Sequence, residues 1–367
     1  MKHLKFNKTM LLAAASAHAD DKFAINGYGY QDYRQSNANS LDGADRRGTW
    51  GNDLLAFVMS MKITDRDTAW AQLETSGTEQ TAFTWAFVDH RFNDNLAAHI
   101  GRVKFPFGIY SEIIDTNWLQ VSAIERSMYN TAADFVYDAY EGIGLDWTTG
   151  SVLTQVYGGN VYNDPSIVGG SALYPAPIDA SVPPTNDRRL IGGRITWTTP
   201  VDGLRLLASA SEIHAESTVY QPTMGQAGKE YHTMLSADYV SDKFDIKSEF
   251  AGHNIPALDG FTGVNSNAWY VQGGYKMDKW MPYVRYDIYH ADQRYTSDPA
   301  YYQKDWVLGV NYKVNDNVSV RVEDHVIHGF GLAATNGEIP TDSLVTPTVW
   351  YGKTDWNLMA AEVNFLF

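Results

Sequence analysis

Apolar and polar residues alternate in long runs through most of the chain, and this period of two constrains the fold more than any other feature. In YQKDWVLGVNYKVN at 302–315, the even positions from Trp306 to Val314 are apolar, and most odd positions are polar or small. Side chains alternate between the two faces of a β-strand, so each run predicts a strand with one apolar face. The sequence contains no long helical pattern and no stretch of about 18 apolar residues, so it predicts no transmembrane helix.

Sixteen such runs can be delimited, and the even number suits a closed antiparallel sheet. Most are longer than the five or six residues typical of strands in globular proteins. They match the 9–11 residues that a tilted membrane strand needs, with an extension beyond the membrane. The predicted strands are 22–36, 53–65, 68–77, 81–93, 96–108, 138–150, 151–163, 188–200, 204–217, 228–242, 244–255, 267–278, 280–295, 302–315, 318–331 and 354–367.

The connections between these strands alternate in length. Short turns rich in Asp, Asn and Gly, such as the one at 93–95, follow the even-numbered strands. Longer connections follow most odd-numbered strands, with 77–80 and 296–301 as short exceptions. Outer-membrane barrels have short periplasmic turns and longer outer loops, whereas a soluble sandwich has no reason for this asymmetry. The long connections are 37–52, 109–137, 164–187, 218–227, 256–266 and 332–353.

Both chain ends fit an exported barrel. The first eight residues contain three lysines, an apolar run follows at 10–17, and Ala-His-Ala precedes residue 20. This pattern predicts a secretory signal peptide at 1–19, cleaved after Ala19, followed by one barrel domain at 20–367. The last strand alternates up to Phe365 and Phe367 instead of fraying into polar residues. A closed barrel explains this, because its last strand pairs with its first.

The composition narrows the class of protein. The chain has 367 residues and no cysteine, so disulfides do not stabilise it. The formal charge of −15, without a basic patch, makes nucleic acid an unexpected partner. Aromatic residues form 13% of the chain, including 23 Tyr and 11 Trp, which suits the aromatic girdles of a membrane barrel.

The signal peptide, the sixteen strands, the alternating connections and the terminal Phe367 together resemble the Gram-negative outer-membrane porins. The resemblance covers the whole mature chain and includes the architecture of both general and phosphate-selective porins. It implies an all-β fold: a 16-stranded transmembrane antiparallel β-barrel in the cell outer membrane. It further implies contact with membrane lipid and lipopolysaccharide, assembly as a homotrimer, and passive diffusion of small hydrophilic solutes and ions.

The third outer loop is the most informative segment for function. In porins the corresponding loop folds back into the lumen and forms the constriction, so the resemblance implies this role for 109–137. The stretch IYSEIIDTNWLQVSAIERSMYNTAADF has considerable apolar content, which favours packing against the barrel wall. It lacks the Pro-Glu-Phe-Gly-Gly stretch of enteric general porins. It also lacks the lysines of phosphate-selective porins, which argues against phosphate selectivity.

Strand alternation predicts which charged side chains face the lumen. An Arg or Lys facing lipid at the membrane midplane costs about 2–4 kcal/mol, which favours the inward orientation. In strand 96–108 the prediction places Ile100, Arg102 and Lys104 on the inner face, opposite Val103, Phe105 and Phe107. Acidic loop residues facing basic wall residues would create a transverse field across the pore. The predicted constriction residues are Glu112, Asp115, Arg102, Lys104, Arg285, Arg321, Arg34 and Arg194.

Other functions have less support from the sequence. A substrate-specific channel with a saturable site of Tyr and Arg side chains is the main alternative. An outer-membrane enzyme or adhesin would need a catalytic constellation or an extra domain. No Gly-x-Ser-x-Gly or other nucleophile motif is present, so no enzymatic activity is expected. The ten histidines show no spacing typical of a metal site, so neither a metal nor another cofactor is predicted. A soluble carbohydrate-binding β-protein is the remaining alternative.

Overall fold

The computed structural model describes residues 22–76, 81–130, 133, 135–161, 188–215, 228–257, 263–333 and 352–367. The predicted signal peptide at 1–19 lies outside these residues. The connections at 77–80, 164–187 and 218–227, and most of 332–353, lie outside them as well.

Sixteen antiparallel strands in the described part of the chain form one closed barrel. Each strand pairs with its neighbours in sequence, and β16 pairs with β1 to close the sheet. The strands are β1 (Phe23–Ser36), β2 (Thr49–Lys62), β3 (Asp67–Ser76), β4 (Ala82–Arg91), β5 (Leu96–Lys104), β6 (Ala139–Thr149), β7 (Val152–Asn160), β8 (Arg188–Thr198), β9 (Leu204–Ala215), β10 (Gly228–Val240), β11 (Phe244–Ile255), β12 (Val264–Tyr275), β13 (Trp280–His290), β14 (Tyr302–Lys313), β15 (Val318–Gly329) and β16 (Asp355–Leu366). The predicted all-β, 16-stranded antiparallel barrel is confirmed.

The C-terminal residue takes part in barrel closure. The backbone N–H of Gly27 donates to the carbonyl of Phe367 at 2.8 Å, and the N–H of Phe367 donates to Gly27 at 2.9 Å. The Phe367 ring lies over Gly27 so closely that a Cβ at position 27 would overlap it. On its other side this ring makes an edge contact with Phe57, at 5.6 Å between centroids. These contacts explain why the strand pattern continues to the last residue.

The two faces of the wall differ in the way that the alternation predicts. In β14, Trp306 and Leu308 are exposed on the outer face, while the intervening Val307 is fully buried inside the barrel. Aromatic side chains cluster on the outer face, as in the pair Trp280 and Tyr312, whose ring centroids lie 4.2 Å apart. An apolar outer surface of this kind suits contact with lipid.

The connections also alternate in length as predicted. The turns after even-numbered strands are short, while the β5–β6 connection spans 105–138. Regular helical structure among the described residues is limited to short 3₁₀ helices, three of them in this connection. No helix in the described ranges has the length and apolarity needed to cross a membrane. Predicted strand boundaries differ from the observed ones by up to five residues, as at β13, which ends at His290 rather than 295.

Candidate pore constriction

The segment between β5 and β6 folds into a compact loop, here called the inner loop (109–137). Its ends are tied together, because the N–H of Phe105 donates to the carbonyl of Asp138 at 3.1 Å. Gly108 has a φ of 63°, a left-handed conformation that glycine adopts without strain, and turns the chain away from the strand. A Cβ at this position would overlap the sulfur of Met234, so the backbone approaches β10 closely. The three 3₁₀ helices are Ser111–Ile113, Asn117–Leu119 and Ser127–Tyr129.

Carboxylates from several strands hold the inner loop. Glu249 on β11 accepts hydrogen bonds from the Tyr129 hydroxyl and from the N–H of Ile109, both at 2.8 Å. Asp287 on β13 accepts the N–H of Ser127 at 2.9 Å. Other strands contact further described parts of the loop, so these parts lie against the wall.

Glu323 on β15 binds the middle of the inner loop. Its two carboxylate oxygens accept the backbone N–H groups of Ala123 and Ile124, each at 2.9 Å. The Tyr283 hydroxyl also donates to Glu323, and His325 Nε2 lies 3.2 Å from its other oxygen. Hydrogen bonds to a charged acceptor are stronger than neutral ones, so this carboxylate fixes the loop backbone.

Two of the predicted arginines bind loop carbonyl groups. Arg321 on β15 donates to the carbonyls of Asn117 and Gln120, both at 2.6 Å, and forms an ion pair with Glu362 at 2.6 Å. Arg285 on β13 donates to the carbonyl of Ile124 at 3.0 Å. Both arginines are buried, so they position the loop from the wall and are shielded from pore water.

The two predicted acidic residues of the loop pair with predicted basic residues of the wall. Glu112 forms an ion pair with Arg194 of β8, which also donates to the carbonyl of Gly108 at 2.9 Å. Asp115 lies 2.8 Å from the Nζ of Lys104, at the end of β5. The structure therefore brings together Glu112 with Arg194 and Asp115 with Lys104.

Residues 63–323 of this chain match the family model of the phosphate-selective porin O and P. The chain belongs to this porin family. The porin is an outer-membrane β-barrel and a diffusion channel. No curated protein matches its sequence.

Solved porin structures share the fold at low sequence identity. OprB of Pseudomonas putida is 12% identical, with a TM-score of 0.61, over 99% of this chain and 96% of that one. The trimer form of OmpT of Vibrio cholerae is 13% identical, with a TM-score of 0.60, over 95% and 100% of the respective chains. OmpF of Salmonella typhi, in complex with daunomycin, is 14% identical, with a TM-score of 0.59, over 95% and 99%.

One predicted inward residue of the porin faces the other way. Arg102 pairs across the sheet with Ala86 and Glu141, which are both exposed on the outer face, and it shares that face with Ile100, which is 58% exposed. The predicted inward orientation of Arg102 is therefore wrong. The apolar set that suggested it, including Val103, packs inside the barrel under the inner loop instead of facing lipid. Alternation alone does not distinguish these two apolar environments.

Lys104 and Arg34 reach the interior with carboxylate partners. Lys104 is the last residue of β5, and its side chain contacts Asp138 as well as Asp115. Arg34 of β1 lies 2.7 Å from Asp32 and 3.1 Å from Asp42. Each of these bases thus has two acidic neighbours.

In three of these ion pairs, the acid is much more exposed than the base. The side chain of Glu112 is 29% exposed, against 1% for Arg194. The corresponding values are 39% and 9% for Asp138 and Lys104. For Asp42 and Arg34 they are 29% and 9%. In these three pairs the solvent-exposed member is therefore the carboxylate, and the paired cation is more buried.

Glu125 is an acidic residue of the inner loop with a buried carboxylate oxygen. Burial raises the pKa of its carboxyl to about 8, and the nearby Asp42 acts in the same direction. Arg34, Arg126 and Arg285 offset part of this increase. Glu125 thus favours its neutral form near pH 7.

Several interior residues were not predicted from the sequence, although strand alternation identifies them. Glu249 and His253 share a face of β11, and Glu230 and His232 share a face of β10. In both strands, buried positions alternate with exposed or intermediate ones. These four side chains point inward for the same reason as the predicted ones, but only the strand register shows which of them meet.

Proposed function

We propose that the inner loop is the constriction of the porin and that the pore favours cations among small hydrophilic ions and solutes. The observation that carries this proposal is the order of exposure in three of the ion pairs. Glu112, Asp138 and Asp42 are the water-exposed members, and their basic partners lie behind them. A permeating ion therefore meets negative groups first, and low-dielectric walls strengthen their field in a narrow pore.

The predicted transverse field takes a different form in this arrangement. The loop acids and wall bases are in contact instead of standing on opposite sides of an open gap. The opposite charges of a contacting ion pair largely cancel beyond a short distance. The remaining electrostatic field in the pore therefore has the sign of the more exposed partner. Electrostatic selectivity of this kind weakens in salt, because the Debye length is about 10 Å at 0.1 M and about 3 Å at 1 M.

Phosphate selectivity is the alternative that the family description raises, and the charges of the lumen favour passive diffusion instead. A phosphate-binding site needs Arg or Lys side chains whose N–H groups are available to the anion. The interior cations Arg194, Lys104 and Arg34 are each engaged by carboxylates.

Planar-bilayer recording tests passive diffusion against a saturable site. We expect single-channel current to rise linearly with KCl concentration, with a reversal potential of the sign for cation preference in a salt gradient. Added millimolar phosphate should leave the current unchanged. Saturation of the current, together with block by phosphate, would support the substrate-specific alternative.

Assembly and export complete the proposal. The trimeric form of OmpT from Vibrio cholerae has this fold, which supports a homotrimer for this porin, embedded in outer-membrane lipid and lipopolysaccharide. Residues 1–19 would direct export and be removed after Ala19. We propose no enzymatic role. Gel mobility before and after heating tests the trimer, since a heat-sensitive band of three times the monomer mass is expected. N-terminal sequencing tests the cleavage site.

A further inference from the structure

Three inward-facing side chains near the outer ends of β10 and β11 form a compact cluster. His232 and His253 are directly opposite each other across the two strands, and their rings stack at 4.4 Å with an interplanar angle of 12°. Oε2 of Glu230 lies 3.6 Å from the Nε2 atom of each histidine. All three residues are at most 2% exposed.

The hydrogen bonds around His232 fix which of its nitrogens faces the cluster. Its Nδ1 lies 3.2 Å from the carbonyl oxygen of Phe135, an acceptor, so Nδ1 carries the proton. The lone pair of a neutral ring is then on Nε2, on the side of Glu230. A backbone carbonyl that holds the second ring nitrogen is the usual support for a histidine that ligates a metal.

His253 provides an independent observation. Within the described ranges, neither of its ring nitrogens has a hydrogen-bond partner, although the side chain is almost completely buried. Leaving a buried polar group without a partner destabilises the folded protein. A ligand that accepts the lone pair of this ring would give one of the two nitrogens a partner.

We propose that Glu230, His232 and His253 bind a divalent transition-metal ion, with Zn²⁺ as the representative ion. Two neutral imidazoles and one carboxylate form a typical donor set for zinc. With metal–ligand bonds of about 2.0–2.1 Å, tetrahedral geometry separates ligand atoms by about 3.4 Å. The two distances of 3.6 Å are close to this value, and all candidate ligand atoms lie within 4.8 Å of one another.

Binding requires one rearrangement of the side chains. The lone pair of an imidazole lies in the plane of its ring, and two nearly parallel rings do not direct their lone pairs at one point. The rings must therefore splay when the metal binds. The fourth coordination position of the metal remains for water or for the Tyr137 hydroxyl, which lies 3.5 Å from Glu230 Oε2.

The site would connect the barrel wall to the returning end of the inner loop. Phe135 contacts the His253 ring edge to face, and Tyr137 contacts His232 in the same way, with centroid distances of 6.2 and 5.7 Å. Metal binding would thus strengthen the attachment of this end of the loop to β10 and β11. Zinc is expected to reduce loop-dependent current fluctuations as a result.

Tag-free porin, treated with chelator and then titrated with Zn²⁺ by calorimetry, tests the site. We expect one Zn²⁺ per chain in the wild-type protein. His253→Ala should weaken binding at least about tenfold, because even loss of an outer-shell partner of a metal ligand costs 10–100-fold. His290→Ala is the matched control, since His290 lies at the outer end of β13 and contacts Asn267. Its Zn²⁺ affinity should equal that of wild type.

X-ray absorption spectroscopy of the zinc-loaded protein provides the second readout, with two imidazole nitrogens expected in the coordination shell. If His253→Ala does not form a heat-modifiable barrel, His253→Asn provides the comparison. Absence of Zn²⁺ binding up to 1 mM, or equal affinity in wild type and the His253 variant, would overturn the proposal. An ion pair between protonated His253 and Glu230 would then account for the cluster.

Discussion

Replacement of Glu323 by glutamine tests how the inner loop is held. The carboxylate uses both oxygens for the N–H groups of Ala123 and Ile124. Glutamine offers one acceptor oxygen, so one backbone N–H loses its partner. A hydrogen bond to a charged group contributes about 1.5–3 kcal/mol. The free energy needed to release this part of the loop should therefore fall by this amount. The equilibrium constant for release should rise about 10- to 150-fold.

Thiol labelling measures this release. Ser122 is next to both amides and is 2% exposed, so Ser122→Cys should react slowly with a membrane-impermeant maleimide. Addition of Glu323→Gln should accelerate labelling about 10- to 150-fold, because only the released loop reacts. Asn37→Cys, at an exposed position, should label at the same rate in both backgrounds. Equal labelling rates for Ser122→Cys with and without Glu323→Gln would refute the reasoning.

Three further changes probe other parts of the barrel. Val310→Arg should lower the free energy of unfolding by about 2–4 kcal/mol because it places a charge against lipid, and Val310→Leu should not; urea titration in lipid vesicles measures both. The raised pKa of Glu125, about 8 against an ordinary 4.5, means that loop packing is firmest below pH 4.5 and weakens as the pH rises through 8. Labelling of the thiol in Ser122→Cys, corrected for thiolate fraction, should accelerate over this range but not when Glu125→Gln is added; identical pH profiles would contradict this role. Deletion of Phe367 removes both backbone bonds to Gly27 and should reduce the yield of heat-modifiable barrel, and an unchanged yield would show that closure does not need it.

Most of the barrel could be predicted from the sequence because lipid and lumen impose opposite demands on alternate residues. Trp306 and Leu308 face outward and Val307 inward, in the register that the pattern predicts. The end of the chain was predictable for the same reason, since Phe367 continues the outward face of β16. These features depend on local periodicity and on the requirement that a membrane strand pair on both edges.

The arrangement inside the barrel was less predictable, because it depends on contacts between residues far apart in sequence. The alternation around Arg102 predicted the wrong orientation, because the neighbouring apolar residues pack under the inner loop instead of facing lipid. The pairing of Glu112 with Arg194 joins residues 82 positions apart. The stacking of His232 on His253 follows from the register of β10 and β11, which strand prediction leaves uncertain by several residues.

The reversal potential of the variant Glu112→Gln, Asp138→Asn tests most directly whether exposed carboxylates set the ion preference. In a KCl gradient centred near 0.1 M, the reversal potential of the wild-type porin should indicate cation preference. The reversal potential of the variant should shift toward anion preference, because Arg194 and Lys104 lose their exposed partners. At 1 M salt the difference should shrink, since the Debye length falls to about 3 Å. Glu212→Gln, on the outer face beside Lys229, should behave as wild type. An unchanged reversal potential in the double variant at low salt would contradict the proposed constriction.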